Sequence, residues 1–491
     1  MQTKKKTKSS SLLHIVKKTI PFLILPLLAI LLYLPTLNYD FVYLDDVVLI
    51  KKNIAFLKNT SNFIQAFNQS VFAQNGYNYG FFYRPVLILS FMLDAQFSDS
   101  SLSPFHISNI IYHIVASLLL FIFLRNLTRI NHLSFLLSAI FAVHPANVMA
   151  VAWIPGRNEM ILTIVILVSM FVMDKLAVFR KWYYFTIYFL ISLFSIFIKE
   201  IAPIIPAVGL VYLLTILRKY ISKKLVIFLI FSLIITSVLV FILHQTFTTE
   251  SGLSPKVIVT NIFTNLPAII ISLGKIIMPF NLSTFPNLPD IKHTYGVISL
   301  LLLLIVIIKY HKNWNLIILG ILWFVIFLMP TLIYKGNYST LILFEHRAYL
   351  PFVGVLCIFA GLDIFKKSLS GYIKTIFTIS VFVLIFSYLS YRHIAHFRDI
   401  STFWTNAVDT SPGSADAHLT LGSVYLNNGE YENAISEFKK SSELAPQLWG
   451  IHNYLGIVYQ KQNKFDEAKN EFELELKYHP NHKETKKNLE E

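Results

Sequence analysis

Residues 20–37 read IPFLILPLLAILLYLPTL, an apolar run of 18 residues without a charged side chain. The hydrocarbon core of a bilayer requires about 20 apolar residues in a helix, so this run is close to one membrane span. No small-residue cleavage site follows it. The lysines that precede it are Lys4, Lys5, Lys6, Lys8, Lys17 and Lys18. We therefore predict a retained anchor whose basic end stays in the cytoplasm.

The composition of the whole chain is that of a membrane protein. Of its 491 residues, 55% are hydrophobic and 14% are charged, against roughly 25% charged residues in soluble domains. Disorder, a coiled coil and a soluble enzyme are excluded for most of the chain. The single cysteine, Cys357, excludes a disulfide framework and a cysteine-based zinc or iron–sulfur site.

The net charge of +15 is unevenly distributed. Residues up to 399 carry 33 Lys and Arg against 13 Asp and Glu, whereas residues 400–491 carry nine against 14. The basic residues form short clusters between apolar runs, as in the cytoplasmic loops of membrane proteins. This pattern argues against a nucleic-acid partner. The Ile-, Phe-, Lys- and Asn-rich composition favours a bacterial inner membrane, and the endoplasmic reticulum is the alternative that fits the same topology.

Ten further apolar segments predict a total of eleven spans and an all-helical, polytopic membrane body. They are residues 104–124, 132–151, 159–177, 182–198, 201–217, 225–244, 295–309, 314–333, 348–365 and 374–391. From an N-terminus in the cytoplasm, the basic loops then all lie inside. Counting Val257–Pro279 as a span would reverse the later loops, so we predict an interfacial or re-entrant helix there, on the outer side.

The tail repeats with a period of 34 residues. The aligned positions are Pro412, Pro446 and Pro480, Leu421-Gly422 and Leu455-Gly456, Tyr425 and Tyr459, Ala434 and Ala468, and Phe438 and Phe472. This is the tetratricopeptide (TPR) pattern. We predict an extracytoplasmic α-solenoid over 399–491, with two clear repeats and a degenerate one that includes Phe403, Trp404 and Ala407. Such solenoids bind proteins or peptides in a groove; the alternative is a spacer that packs on the body.

The acidic residues of the body gather at the predicted outer helix ends. The longest outer loop, residues 38–103, carries the adjacent pair Asp45-Asp46. Two neighbouring carboxylates repel each other, which raises one pKa unless a cation intervenes. The pair therefore suits a general base, or a divalent cation such as Mg²⁺ or Mn²⁺. The alternative is that it caps a helix starting at Val47.

Cations and histidines gather on the same predicted face. Arg84, Arg157, Lys199 and Arg347 could hold a phosphate, and supporting residues are His106, His113, His144, Glu159, Glu200 and Glu345. Carboxylates and cations together suit a phosphate-bearing donor at the bilayer surface, because a carboxylate can deprotonate an acceptor while the cations hold the leaving group. The alternatives are a headgroup contact for Arg84 and packing roles for the histidines.

Taken in order, these motifs resemble a known family. They are Asp45-Asp46, Tyr83-Arg84-Pro85, His106-x-x-Asn109-x-x-x-His113, His144-Pro145 with Gly156-Arg157, Lys199-Glu200, Glu345-His346-Arg347-x-Tyr349-Leu350-Pro351, and the trailing TPRs. The chain is similar to the membrane TPR glycosyltransferases of the C-type (GT-C) superfamily, relatives of the protein O-mannosyltransferases. The resemblance implies a transferase domain over 1–398.

The resemblance implies an inverting enzyme that uses a polyprenyl- or dolichyl-phosphate sugar on the outer face. It gives the catalytic role to Asp45 or Asp46 and phosphate binding to Arg84, Arg157 and Arg347, with a protein, glycan or lipid hydroxyl as acceptor. Met149 stands where relatives carry an acid, and Asn147 where the eukaryotic type carries a second histidine. Glu159 or Glu200 then replaces that acid, or the loop is structural. The Glu345-His346-Arg347 order also differs from the commoner Glu-Arg order.

Three other functions fit parts of the pattern. A ligase or polymerase of lipid-linked oligosaccharides would share the chemistry but favours a longer aromatic outer loop. A non-enzymatic TPR scaffold needs one span and no acidic pair. A transporter would place its acids near the bilayer midplane and carry internal repeats.

Overall fold

The computed structural model describes residues 19–73, 82–99, 101–201, 203–248, 254–333, 341–363 and 369–490, with the backbone alone at 369–376 and 379. The lysines that precede Ile20 lie outside these residues. The described ranges contain no β-strand, and two isolated backbone bridges join Asn287 to Ile342 and His311 to Leu362.

Helices make up most of the described residues. They are α1 (Thr19–Asn38), α2 (Ile54–Lys58), α3 (Pro85–Ala95), α4 (Ser103–Thr128), α5 (Asn131–Val143), α6 (Val148–Ala152), α7 (Arg157–Phe179), α8 (Trp182–Ser195), α9 (Ile204–Thr215), α10 (Lys223–Phe247), α11 (Pro255–Asn265), α12 (Pro267–Ile277), α13 (Thr294–Tyr310), α14 (Trp314–Ile333), α15 (Tyr349–Ala360), α16 (Leu369–Ile394), α17 (Ile400–Thr410), α18 (Ala415–Asn427), α19 (Tyr431–Leu444), α20 (Ile451–Lys461), α21 (Phe465–Tyr478) and α22 (Lys483–Glu490). A π-helical turn occupies Val47–Lys51.

The membrane body is a helical bundle, as the sequence predicts. In the described part of the chain, five helices are long and apolar enough to cross a bilayer: α1, α4, α7 with the turn before it, α10 and α14. Two bent pairs, α5 with 145–152 and α11 with α12, raise this number to seven if each is one span. A helix lies at each of the eleven predicted spans, but several are short, and the count of eleven stays a prediction.

Basic residues end two of the long helices. Arg129 and Arg180 follow α4 and α7 in the left-handed conformation, with φ of 60° and 50°. Their backbone N–H groups donate to the carbonyls of Arg125 and Leu176, which closes each helix with a bond to an otherwise unpaired carbonyl. A positive side chain is also favourable at the negative end of the helix dipole.

Small residues let α14 and α15 approach closely. A Cβ at Gly320 would lie 2.4 Å from the carbonyl oxygen of Gly354, and a Cβ at Gly354 would lie 2.5 Å from that of Gly320. Membrane helices are held together largely by such close packing, because lipid provides no hydrophobic driving force between them. The indole N–H of Trp323 adds a hydrogen bond of 3.0 Å to the carbonyl of Leu350.

The bent pair α11–α12 lies against the end of α14 and the loop before α15. In α11, the side-chain amides of Asn261 and Asn265 donate to the last carbonyls of α14, those of Ile333 and Leu332. Near the end of α12, Lys275 forms an ion pair with Glu345, which lies just before α15. The two helices meet at a bend of 43°. Such a bent pair is either a broken span or a re-entrant segment, so the re-entrant helix stays a prediction.

The tail forms TPR-like helix pairs, which confirms the predicted solenoid. Helices α18 and α19 make the first pair and α20 and α21 the second. A Cβ at Gly422 would lie 2.6 Å from the ring of Phe438, and one at Gly456 would lie 2.4 Å from that of Phe472, so glycine permits the close approach within each pair. Helices α19 and α21 both end two residues before the repeated proline.

Helix α17 joins the tail to the membrane body. Its residues Phe403, Trp404 and Ala407, predicted to belong to a degenerate repeat, are buried in the same apolar core as the membrane helices. Residues of α18 share that core. The boundary at residue 399 stays a prediction.

Candidate active site

The loop after α1 folds around the carboxylate of Asp46. Its oxygens accept the backbone N–H groups of Val42 at 2.7 Å, Leu44 at 3.1 Å and Val47 at 3.0 Å. The residue is 2% exposed. At the centre of the loop Tyr43 takes a φ of 60°, which turns the chain back on itself. The Asp46 carboxylate is therefore occupied by the backbone, and its contact with Val47 caps the following turn.

Asp45 has a different environment from its neighbour. Its side chain is partly exposed, and its carboxylate forms no hydrogen bond or ion pair with any residue that the structure describes. Burial raises the pKa of Asp45 to about 6, and the charge of Arg84 opposes that rise. Burial also raises the pKa of Asp46 to about 6, against the three N–H groups that favour its ionised form. Asp45 is thus the member of the pair that a ligand can reach.

Arg84 and Glu200 form a two-armed ion pair beside Asp45. Nε and Nη2 of the guanidinium each lie 2.9 Å from one oxygen of the Glu200 carboxylate. Arg84 precedes Pro85, the first residue of α3, and Glu200 follows α8, so two loop ends meet here. Burial disfavours the charge of Arg84, but Glu200 outweighs this effect and raises the pKa of Arg84. The pair fixes the plane of the guanidinium while Nη1 remains for another acceptor.

A second ion pair joins Glu159 to Lys199. Glu159 lies in the first turn of α7, where a negative charge is favoured by the helix dipole. It is 2% exposed, and the ammonium of Lys199 donates to its Oε1 atom. Burial lowers the pKa of Lys199, and Glu159 opposes that change. An ammonium has three donors, so Lys199 keeps donors for a ligand.

His346 completes the cluster, although the sequence motifs assigned it no role. Its ring lies 5.3 Å from that of Trp153, and its Nδ1 atom lies 3.4 Å from the sulfur of Met149. Burial lowers the pKa of His346 well below its ordinary value, and the charges of Arg347, Lys199 and Arg84 lower it further. The imidazole is therefore neutral at pH 7. The only sequence signal for it is its position between Glu345 and Arg347.

These side chains come from five separate parts of the chain. They are Asp45 after α1, Arg84 before α3, Glu159 in α7, Lys199 and Glu200 after α8, and His346 and Arg347 before α15. The structure therefore brings together six of the twelve residues that the sequence singled out, together with His346. Carboxylates and cations are equal in number, and one carboxylate, that of Asp45, is left without a hydrogen-bonding partner among the described residues. Such a site can take a proton from a ligand and hold an anionic group beside it.

Arg157 lies elsewhere, inside the bundle. Its guanidinium is fully buried and donates to Asn109 at 2.9 Å, Asp94 at 2.5 Å, Ser90 at 3.2 Å and the carbonyl of Phe105 at 2.8 Å. These four contacts join α3, α4 and α7. The phosphate-binding role predicted for Arg157 does not fit this position, because its donors are directed at protein groups. The structure thus corrects that assignment to a structural one.

The three predicted supporting histidines also lie in the protein interior. His113 receives the hydroxyl of Tyr349 at Nδ1 (2.8 Å) and donates from Nε2 to the carbonyl of Ala142 (2.9 Å). His144 accepts the N–H of Ala146 and lies 4.5 Å, ring to ring, from a phenylalanine of α15. His106 is 2% exposed. Their positions are those of packing residues, the alternative that the sequence left open.

Glu345 belongs to a buried charge cluster beside the site. Its carboxylate accepts from Lys275 at 2.8 Å, from the N–H of Ser283 at 2.8 Å and from His393 at 2.9 Å. Burial alone would raise the pKa of Glu345, but Lys275 and His393 outweigh it and lower the pKa to about 2. The cluster ties the loop before α15 to α12 and α16. Neither Lys275 nor His393 was singled out in the sequence.

The acidic pair was also a candidate metal site. Among the residues that the structure describes, no three His, Cys, Asp or Glu side chains come together as metal ligands. The Asp46 carboxylate is engaged by backbone N–H groups, which do not coordinate a cation. Of the pair, Asp45 alone could act as a ligand, so the residues present fit a divalent cation poorly.

Fold and site together define a polytopic helical membrane protein with TPR repeats and an ion-pair cluster at one end of its bundle. The tetratricopeptide repeat family matches residues 415–448. The chain is 35% identical over 150 residues, 29% of its length, to "Protein O-mannosyl-transferase F38B6.6" of Caenorhabditis elegans. It is 29% identical over 177 residues, 36% of its length, to "Protein O-mannosyl-transferase Tmtc1" of Drosophila melanogaster.

A third relative is "Protein O-mannosyl-transferase TMTC3" of Homo sapiens, 34% identical over 87 residues, which are 18% of this chain. The matched segments cover 21%, 20% and 9% of these three relatives. The chain therefore spans about a fifth or less of the length of the curated relatives it matches.

Proposed function

We propose that this chain is an integral-membrane glycosyltransferase of the protein O-mannosylation type. The names of the similar proteins support the reaction class. The observation that carries the proposal is the position of Asp45, a partly exposed carboxylate that bonds to no described residue and lies in the field of Arg84. A sugar transferase with a phosphate leaving group needs a base of this kind next to cations.

The donor is a sugar, mannose in the first instance, linked through its anomeric carbon to polyprenyl or dolichyl phosphate. Asp45 accepts the proton of an acceptor hydroxyl, and the oxygen forms a bond to the anomeric carbon from the face opposite the phosphate. The bond from that carbon to the phosphate oxygen breaks, so the anomeric configuration inverts. Arg84 and Lys199, with Arg347 nearby, stabilise the charge that develops on the leaving phosphate.

A shallow, open apolar depression at the surface of the bundle would accommodate part of the lipid chain of such a donor. It has a volume of about 300 Å³, lies between α7 and α8, and is lined by Ile164, Val165, Val168, Ile187, Leu190, Ile191 and Phe194. Ile164 is five residues along α7 from Glu159, about 7.5 Å at the rise of an α-helix. A prenyl chain in this depression would place its phosphate near Lys199.

We propose that the TPR tail presents a protein acceptor. TPR repeats bind proteins and peptides in a groove, and α17 lies against the loop that carries Asp45. We therefore propose a serine or threonine hydroxyl of a bound protein as acceptor. On the positive-inside pattern of the loops we propose that the site and the tail lie on the extracytoplasmic face, with the N-terminus in the cytoplasm. We assign the chain to a bacterial inner membrane on its composition.

The test is sugar transfer by the purified full chain in detergent. Polyprenyl-phosphate mannose, other polyprenyl-phosphate sugars and sugar nucleotides are compared as donors, with a peptide rich in serine and threonine as acceptor. We expect release of polyprenyl phosphate and an inverted glycosidic product from a lipid-linked donor, unchanged by EDTA. Consumption of a sugar nucleotide instead, or of no donor by a folded chain, would contradict the proposal, and the latter would favour a scaffold.

A further inference from the structure

Helix α17 is attached directly to the loop that carries the acidic pair. The indole N–H of Trp404 donates to the carbonyl of Val42 at 2.9 Å. Just before α17, the carbonyl of Arg398 accepts the N–H of Asp40 at 2.9 Å. Residues 40–42 are thus held at both ends by the segment from Arg398 to Trp404, although some 360 residues separate the two segments.

Val42 connects Trp404 to the acidic pair through two hydrogen bonds. Its carbonyl accepts from Trp404, and its own N–H donates to Asp46 at 2.7 Å. Trp404 and Asp46 therefore form hydrogen bonds with the carbonyl and the N–H, respectively, of the same residue. Asp45 is covalently next to Asp46, so a shift of Val42 moves the Asp45 carboxylate as well.

The position of Trp404 is itself fixed. The residue is 3% exposed, and its ring lies 5.2 Å from that of Phe285. The carbonyl of Phe403 accepts the hydroxyl of Thr284 at 2.8 Å, and the side chain of Asn406 accepts the N–H of Thr284 at 3.1 Å. Helix α17 is thus anchored to the loop after α12, which gives Trp404 a rigid support.

We propose that Trp404 is a positioning residue for sugar transfer, which acts through Val42 and Asp46 to set the place of the Asp45 carboxylate. The proposal rests on the proposed function, in which Asp45 is the base. It assigns α17 a part in the transfer reaction in addition to any binding of partners by the tail. Displacement of a catalytic group by about 1 Å can lower a rate by roughly a hundredfold. The loss of one buried hydrogen bond that positions Asp45 can therefore lower the rate of sugar transfer.

The first experiment substitutes Trp404→Phe in the full chain, which keeps the ring and removes the N–H donor. We expect kcat for sugar transfer to fall about tenfold while KM for the lipid-linked donor changes less than twofold, because the cations that hold the phosphate are not displaced. The matched control is Trp182→Phe, an exposed tryptophan at the first residue of α8 that belongs neither to the proposed site nor to the tail. Wild-type kcat in Trp404→Phe would overturn the proposal.

The second experiment is a double-mutant cycle with Asp45→Glu, which moves the carboxylate but keeps it. If Trp404 acts by placing Asp45, Trp404→Phe should lower kcat less than twofold in the Asp45→Glu background. A full tenfold loss in both backgrounds would mean that Trp404 acts elsewhere, and would overturn the proposal. If Trp404→Phe does not fold, Asp46→Asn tests the same chain of contacts from the loop. A lower kcat with unchanged KM supports it, and wild-type kcat overturns it.

Failure of this inference can be told apart from failure of the proposed function. Wild-type activity in Asp45→Asn would show that Asp45 is not the general base, irrespective of the activity of Trp404→Phe. An inactive Asp45→Asn together with a fully active Trp404→Phe would remove only the role of Trp404.

Discussion

Arg84 and Glu200, which are 116 residues apart in the chain, form an ion pair with two parallel contacts of 2.9 Å. The pair holds the guanidinium in one plane, and the charge of Arg84 acts on the carboxylate of Asp45. The side chains of Arg84 and Glu200 are 17% and 23% exposed, so a ligand can reach both. The pair therefore links the proposed base to the proposed phosphate site.

Arg84→Lys should weaken donor binding. A lysine cannot contact Glu200 and a phosphate at the same time through one rigid fork, so we expect KM for the lipid-linked donor to rise about tenfold. The measurement is the donor dependence of transfer. Arg398→Lys is the matched control, because that side chain is exposed and pairs with Asp399 at the surface. An unchanged donor KM in Arg84→Lys would remove Arg84 from the donor site.

Arg157→Lys should instead affect stability. The substitution removes several of the four buried hydrogen bonds that join three helices. It also leaves the carboxylate of Asp94 with fewer hydrogen-bond donors. Each lost hydrogen bond to a charged group costs about 1.5–3 kcal/mol, so we expect a lower Tm and a donor KM within twofold of wild type. Arg125→Lys, at the half-buried end of α4, should change neither. A tenfold rise in KM with an unchanged Tm would return Arg157 to the donor site.

Glu345→Gln should destabilise the fold through its buried neighbours. The substitution leaves the Lys275 ammonium without its counter-charge, which costs about 3–5 kcal/mol. Thermal unfolding in detergent measures the loss. The exposed pair of Lys312 and Asp363, 3.3 Å apart, provides the control Asp363→Asn, for which we expect almost no change. Equal Tm values for the two variants would contradict this account.

The sign of the pH effect at Glu345 follows from its pKa. The folded-state pKa is lowered to about 2 from an ordinary value of 4.5. The stabilisation is therefore fully present above pH 4.5 and is lost as the pH falls towards 2. In Glu345→Gln this acid-dependent part of the unfolding curve should disappear.

Transfer should decline in acid with a midpoint near pH 6. Asp45 must be ionised to accept a proton, and burial raises its pKa to about 6 against the opposing charge of Arg84. The activity is therefore present above pH 6 and falls as the pH decreases below it. The measurement is kcat/KM against pH, which reports the free enzyme. A flat profile between pH 5 and 8 would exclude a base with this pKa.

The helices and the repeats were predictable because their signals are local. An apolar run of about 20 residues, or a period of 34, is visible in the sequence without knowledge of any contact. The meeting of Arg84, Glu159, Lys199 and Glu200 was also predictable in outline, since the positive-inside pattern places all these helix ends on one face.

The distinction between Asp45 and Asp46 could not be predicted. It depends on which carboxylate faces the backbone N–H groups of a turn, and that turn requires Tyr43 to adopt a positive φ. The same limit applies to Arg157, whose partner Asp94 lies 63 residues away. Such pairings arise from helix packing, which a single sequence does not specify.

The most direct test of the central claim compares Asp45→Asn with Asp46→Asn in single-turnover transfer from polyprenyl-phosphate mannose. We predict that Asp45→Asn lowers the rate about 10²–10⁴-fold, the range for loss of a general base, while its Tm does not fall. Asp46→Asn should lower the rate about tenfold and lower Tm, because the loop loses its charged acceptor. A wild-type transfer rate in Asp45→Asn would contradict the account.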